Sequence, residues 1–297
     1  MTARQTTVLG AVEAGGTKFR VASVDQDSLD VIDEVRIETT DPDSTIGATI
    51  DFLRSAKVGA VGVAAFGPLD LDRISPTYGS ITATPKPGWS DTPLRRRLME
   101  ALDVPVGIQT DVEGAAMAEF ELGAGRDCST LVYVTVGTGI GAGITIDGRP
   151  HGGHGHSEFG HVPMTPVAGD NYTGRCPFHG TCAEGMASGP AIEDRWGRSG
   201  DGLADAPEVW DLEAVYLAQL VRIITYTVAP HRILFGGGVA QAPGLMERLR
   251  RAVAVDMAGY GTNPRLLGDL DTYLQPAALG QEAGLIGAAL IARMTVG

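Results

Sequence analysis

Apolar and polar residues alternate at both ends of a glycine turn near the start of the chain. "TVLGAVEA" (7–14) and "KFRVASVD" (18–25) read as two strands, joined by "GGT" (15–17). About 120 residues on, the pattern returns. "TLVYVTV" (130–136) alternates, "GTGIG" (137–141) turns, and "AGITIDG" (142–148) runs back. Two such hairpins at the heads of two halves predict a duplicated architecture. Between them, "VGAVGVAAFG" (58–67) is apolar throughout and reads as a buried strand, and "VPVGIQTD" (104–111) as another. Helical spacing appears in "DTPLRRRLMEAL" (91–102) and in "VEGAAMAEFELG" (112–123), with Gly123 past its end.

In the second half, "SGPAIEDRWG" (188–197) opens a helix with Pro190 near its first turn. The segment 207–228 carries apolar residues at Val209, Leu212, Tyr216, Leu220, Ile223 and Ile224, one helical face. "RILFGGGVAQAPGLMERLRRAV" (232–253) reads as strand, triple-glycine turn and helix, and 280–294 as a small-residue helix made for close packing. Strands and helices mix throughout, so the class is α/β.

Composition narrows the partners. A net charge of −13 opposes nonspecific contact with nucleic acid or an anionic membrane. No apolar run is long enough to span a bilayer, and the first residues lack the pattern of a secretory signal. With only three cysteines, the expectation is a reducing cytoplasm and no disulfide framework.

Two of those cysteines lie in "CPFHGTC" (176–182). Cys176, His179 and Cys182 offer three borderline-soft donors within seven residues, the spacing of zinc ligand pairs. Tetrahedral zinc needs a fourth ligand, and His151, His154, His156 and His161 all lie upstream in "HGGHGHSEFGH". The loop from His161 to Cys176 is long enough to fold back, which favours His161; a closed set of four would be structural. The plainer reading is two free thiols beside solvated histidines.

Other positions carry chemistry only in combination. Gly16, Thr17 and Lys18 in the first hairpin, and Thr138 and Gly139 in the second, expose backbone N–H groups and a hydroxyl, as a phosphate cradle does. Either one alone is equally an ordinary tight turn. Neither is a G-x-x-x-x-G-K-[ST] loop, because in "GGTK" threonine precedes lysine. Gly236, Gly237, Gly238, Val239 and Ala240 would let a flat ligand lie against backbone, or would simply turn a strand into a helix. Asp111, at the junction of strand and helix, reads alone as a helix cap and otherwise as a general base. Glu158 precedes His161 by three residues, so a metal on His161 would restrict a carboxylate suited to bidentate binding of hydroxyls on a polyol; the alternative is a solvated loop glutamate.

Taken in order, "EAGGTKFRVA", "TDVEGAA", "VTVGTGIGAGI", "SEFGHV", "CPFHGTCAEGMASGPAI" and "FGGGVA" resemble the ROK sugar kinases. "FGPLDL", "YGSITATPKPGW" and "CPFHGTCAEGMASGP" are most similar to the bacterial fructokinase branch. The likeness covers nearly the whole chain. It implies an actin-like, ribonuclease-H-like fold of two lobes around a cleft, 1–115 with the C-terminal helix 281–297 and 116–280. It implies phosphoryl transfer from ATP to a hexose with Mg²⁺, a structural zinc, and a homodimer. By position it makes Asp111 the catalytic aspartate, Glu158 a sugar ligand, and His161, Cys176, His179 and Cys182 the zinc ligands. Thr138, Gly139, Pro190 and Gly236 to Ala240 fall where the family meets ATP, and Gly16, Thr17 and Lys18 on its first phosphate hairpin.

There are departures. Glu13 replaces the usual aspartate of the first motif, and Glu113 the usual asparagine two after the catalytic aspartate. Lys86, in "TPKPGW", stands where relatives place asparagine near the sugar. Fructose is the expected acceptor, with mannose, glucose or an amino sugar as alternatives. Two rival classes are a sugar-sensing repressor, for which the few residues ahead of the first strand leave no room for a DNA-binding motif, and a noncatalytic zinc-stabilised binding protein.

Overall fold

A computed structural model describes residues 8–260 and 268–296. The expected domain limits at residues 1–7 and 297 lie outside the described residues. The chain forms two compact units. One comprises residues up to 118, 149–156 and 281 onwards; the other comprises 119–148 and 157–280.

In the first unit the sheet runs β3–β2–β1–β4–β5. β1 (Val8–Ala14) and β2 (Lys18–Asp25) form the expected hairpin, and β3 (Val31–Glu38) pairs antiparallel at its edge. β4 (Ala60–Ala65) and β5 (Val106–Thr110) add in parallel. Every residue of β4 is buried, which is why its sequence shows no alternation. The sequence reading omitted β3 and α1 (Pro42–Ala56). β3 is a largely exposed edge strand, with alternation confined to Val35 and Ile37, which pack against the core. α1 did carry a signal: Asp41 caps it by accepting from Ser44 N at 2.9 Å, with Pro42 in the first turn.

The second unit repeats the plan. Its strands run Leu274–Pro276, Arg232–Gly236, β6 (Thr130–Val136), β7 (Ile140–Ile146) in that order. β6 and β7 are antiparallel, and the other two pairs parallel. The duplication read from two hairpins therefore extends to the parallel strands behind them. Against this sheet packs α6 (Pro207–Val228), whose Val209, Tyr216, Leu220 and Ile224 are all buried in one core.

The C-terminal helix Ala283–Val296 lies on β1, β4 and β5 of the first unit. Glycines make the approach possible. A Cβ added at Gly62 would sit 1.9 Å from the Ala288 carbonyl oxygen, and one at Gly287 would sit 2.2 Å from the Gly114 carbonyl oxygen. The obstructing atoms are backbone and cannot rotate away. Gly62→Val is therefore expected to destabilise the fold by about 2 kcal/mol or more through overpacking. A denaturant midpoint equal to that of the parent chain would show that the helix does not sit this close. No helix among the described residues is long and apolar enough to cross a membrane.

Candidate functional site

In the first unit the groups of interest sit where strands end. α3 (Asp111–Glu121) begins directly after β5. An aspartate here would ordinarily cap the helix, but Thr110 does so instead. Its Oγ1 accepts from Glu113 N at 3.2 Å, and Glu113 Oε2 accepts from Thr110 N at 3.3 Å and from Thr110 Oγ1 at 3.2 Å. This reciprocal box corrects the cap reading of Asp111. It also accounts for Glu113, where the family resemblance led to asparagine. Asp111 is exposed, and its Oδ1 accepts from Val112 N at 2.9 Å. The carboxylate thus stands at a helix N-terminus, where negative charge is favoured, without being consumed in closing the helix.

Glu113 pays for its place in burial. It is 2% exposed, and desolvation raises its pKa, opposed by the Thr110 hydrogen bonds and the charge of His156. A carboxyl with a raised folded-state pKa contributes most to stability below its unfolded pKa and loses that contribution as pH rises through the folded value. Glu113→Gln keeps the box, since glutamine also serves there. Its stability relative to the parent is expected to improve as pH rises from about 4 to 7, in denaturant unfolding at several pH values. A pH-independent difference would show that Glu113 is ionised without penalty.

Glu13, at the end of β1, is also raised, first by burial, then opposed by Arg20, with the charges of Asp111 and Glu282 adding to the rise. Arg20 is held between Glu34 Oε1 at 2.9 Å, Glu282 Oε2 at 3.0 Å and Glu13 Oε2 at 3.4 Å. Gly16, Thr17 and Lys18 are exposed at the hairpin tip, which Thr39 ties down: its N–H donates to the Thr17 carbonyl at 3.0 Å and its hydroxyl to that of Gly15 at 2.8 Å. Lys86 is half-buried, and its backbone N–H donates to Thr84 Oγ1. His156 Nε2 accepts from Leu69 N at 3.1 Å, and His154 meets Asp72 at 3.1 Å.

In the second unit the β6–β7 turn and the triple glycine meet at one cavity of about 640 Å³. Gly137, Thr138, Gly238, Val239, Gln241 and Trp210 are among its walls. That volume suits a small organic ligand. No lysine or arginine lines it. Gly237 turns the chain at φ 87°. The remaining expected residues hold this wall without lining it. Gly236 and Ala240 are buried, Pro190 opens α5 (Gly189–Trp196), and Gly189 N donates to the Gly137 carbonyl at 2.7 Å.

Glu184 was not singled out in the sequence. Its Oε2 accepts from Ile140 N at 3.0 Å, and a Cβ at Gly139 would strike that oxygen at 2.6 Å. Only its position two residues after Cys182 could have flagged it. Glu158 is exposed at the start of a helical turn over Phe159–His161, which lies on β7: Ser157 Oγ donates to the Ala142 carbonyl at 2.8 Å.

His161, Cys176, His179 and Cys182 converge, with all four ligand atoms within 4.8 Å of one another. Cys176 Sγ lies 3.8 Å from His161 Nδ1 and 3.7 Å from His179 Nδ1; Cys182 Sγ lies 3.6 Å from His161 Nδ1. The turn is closed by Gly180 N donating to the Cys176 carbonyl at 2.9 Å. Burial pushes the Cys182 thiol up to about 11, so that thiol is neutral unless a cation favours its thiolate. The donor set fits a tetrahedral metal. Cys128 lies apart from it, buried beside Asp127.

The family model described as "ROK family" matches residues 9–295. The fructokinase of Zymomonas mobilis is 40% identical over 294 residues, 96% of each chain, and that of Pediococcus pentosaceus 37% over 286 residues, covering 96% of this chain and 98% of its own. Among solved structures, the ROK hexokinase from Thermus thermophilus superposes with a TM-score of 0.80 at 29% identity, over 98% of this chain and 99% of that one.

Proposed function

The chain belongs to the ROK family, and from that premise we propose that it phosphorylates fructose with ATP, using Asp111 as general base. It is an ATP-dependent sugar kinase with the two-unit, actin-like α/β fold of that family. Fructose is favoured by the fructokinases that match at about 40% identity over nearly the full length. The observation that carries the mechanism is the exposed Asp111 carboxylate, freed from capping by Thr110 and Glu113.

In the reaction so proposed, Asp111 accepts the proton of the attacking hydroxyl as that oxygen bonds to the γ-phosphorus. The bridging P–O bond breaks, and ADP leaves with its electron pair. Thr138, Gly139, Pro190 and Gly236 to Ala240 hold the nucleotide, supported by the cavity that Thr138, Gly238 and Val239 line. Gly16, Thr17 and Lys18 face phosphate, and the charge neutralisation that Mg²⁺ would supply when bound with ATP would fall beside Glu13 and Asp111. The fit of the ion is supported by the mutual repulsion of these two carboxylates, which a cation would relieve. Glu158, His161 and Lys86 orient the sugar.

The metal in the histidine–cysteine cluster is zinc in this reading. Bonds of about 2.3 Å to sulfur and 2.0–2.1 Å to nitrogen give a tetrahedral sulfur–nitrogen edge of about 3.6 Å, close to the three separations seen. With four protein donors the site is closed, so zinc braces and does not react. The lobes at 1–115 with 281–297 and at 116–280, and a homodimer, complete the proposal; scattering in solution reads the dimer.

ADP release measured across fructose, mannose, glucose and amino sugars tests the function. Sugar-dependent turnover with the highest kcat/KM on fructose is expected. Preference for glucose or mannose would shift the assignment within the kinases, and no turnover on any hexose would end it.

A further inference from the structure

The first unit holds a second cavity, of about 330 Å³, to which none of the proposed catalytic residues contributes. Arg73, Arg95 and Arg96 line it, with Ser75, Tyr78 and Asp91. In a chain with 36 acidic residues against 23 basic ones, most arginines find a carboxylate. These three have none within ion-pair distance among the described residues, whereas Arg97, the next residue along α2 (Leu94–Leu102), pairs with Asp43 at 2.9 Å. Three guanidinium groups without an ion-pair partner share this hollow with one carboxylate, Asp91, and an anion between them would lower their mutual repulsion.

Arg95 is fixed in place. Its backbone N–H donates to the Gly79 carbonyl at 3.1 Å, and its Nε to the Val106 carbonyl at 2.8 Å. Its guanidinium lies 4.8 Å from the centre of the Tyr78 ring. Gly79 takes φ 80°, and a Cβ there would come within 2.4 Å of Arg95 Cβ, so the glycine makes room for this side chain. One edge of the guanidinium is thus anchored, which leaves its two terminal nitrogens as the fork that suits a phosphate.

The remaining walls point to more than a bare ion. Asp91 is of the wrong sign for an anion but accepts hydrogen bonds from hydroxyls. A volume of about 330 Å³ lies at the small end of organic ligand pockets. We propose that this cavity, lined by Arg73, Arg95, Arg96 and Asp91, binds a phosphorylated small sugar, with the phosphate on the arginines and hydroxyls on Asp91. The ligand chemistry is a phosphate monoester, and the site is separate from the one proposed for catalysis.

Calorimetric titration of the full chain with fructose 6-phosphate, inorganic phosphate and fructose tests this. The parent is expected to bind fructose 6-phosphate at least tenfold more tightly than inorganic phosphate. In Arg73→Glu/Arg96→Glu the stoichiometry should fall by one site or the affinity at least tenfold. Both residues are exposed, so the fold should survive, as circular dichroism and Tm would report. KM for ATP and for fructose, measured without added ester, should stay within twofold. An unchanged isotherm in the double variant, or no binding of the ester by the parent, overturns the site. Inorganic phosphate binding as tightly as the ester overturns the sugar ester and assigns the cavity to the free anion. Because the titration needs no turnover, it remains readable whether or not the kinase assignment holds.

Discussion

Asp111→Asn is expected to lower kcat on the order of 10²–10⁴-fold, with KM for ATP and for sugar changed by no more than about threefold. Asparagine has nearly the same shape and can still accept from Val112 N through its carbonyl oxygen, as Asp111 Oδ1 does at 2.9 Å. The helix keeps its start, because the cap belongs to Thr110 and Glu113. What the amide cannot do is take a proton from an attacking hydroxyl. The loss should therefore fall on the chemical step and lower Tm by no more than about 3 °C, since removing a negative charge from a helix N-terminus costs about 0.3–1 kcal/mol. Steady-state kinetics and thermal unfolding of one preparation separate the two. Unchanged kcat would remove Asp111 from the mechanism, and a large drop in Tm with the activity would make it a structural residue.

That separation was not visible in the sequence. "QTDVEGAA" presents a threonine, an aspartate and a glutamate at the head of a helix, and each is a plausible cap. T-x-x-E at 110–113 is the spacing of a capping box and outranks the aspartate between its ends, but it also needs a backbone that brings Thr110 Oγ1 to Glu113 N. The hairpins and the helical face of α6 were legible because each rests on a period that burial enforces, and β4 because burial on both faces makes it one unbroken apolar run. β3 was not, because only Val35 and Ile37 of its eight residues pack on the core as apolar residues, too short an alternation to stand out. Glu184 was missed for a different reason: its partner is a backbone N–H 44 residues away, at Ile140, and no local pattern records such a contact. Arg73, Arg95 and Arg96 likewise carry no local signal, because only the folded chain brings them around one hollow.

Loss of the metal is expected to act on the sugar far more than on the nucleotide. The cluster joins His161 to Cys176, His179 and Cys182 across a long loop, and Glu158 precedes the first of these by three residues. Three donor–donor edges of the cluster measure 3.6–3.8 Å, and the zinc proposed above would hold these groups as two thiolates and two imidazoles. Without it, burial keeps the Cys182 thiol protonated and the remaining links are single hydrogen bonds, such as Gly180 N to the Cys176 carbonyl. The unit itself should stay folded. Met164, Ala183 and Met186, which flank the cluster, are buried in the core with α6, and Gln219 holds Thr165 through both its N–H, accepted at 2.8 Å, and its carbonyl, at 3.0 Å. The cavity proposed above for ATP is lined by residues outside 158–182. Cys176→Ser, or a zinc-selective chelator with Mg²⁺ restored, should therefore remove about one zinc per chain and raise KM for fructose at least about tenfold, while KM for ATP moves by less than about threefold. Metal analysis, kinetics on both substrates and far-UV circular dichroism on the same samples check it. Zinc lost with KM for fructose unchanged would sever the metal from the sugar, and equal rises for both substrates would mean that the whole unit had loosened.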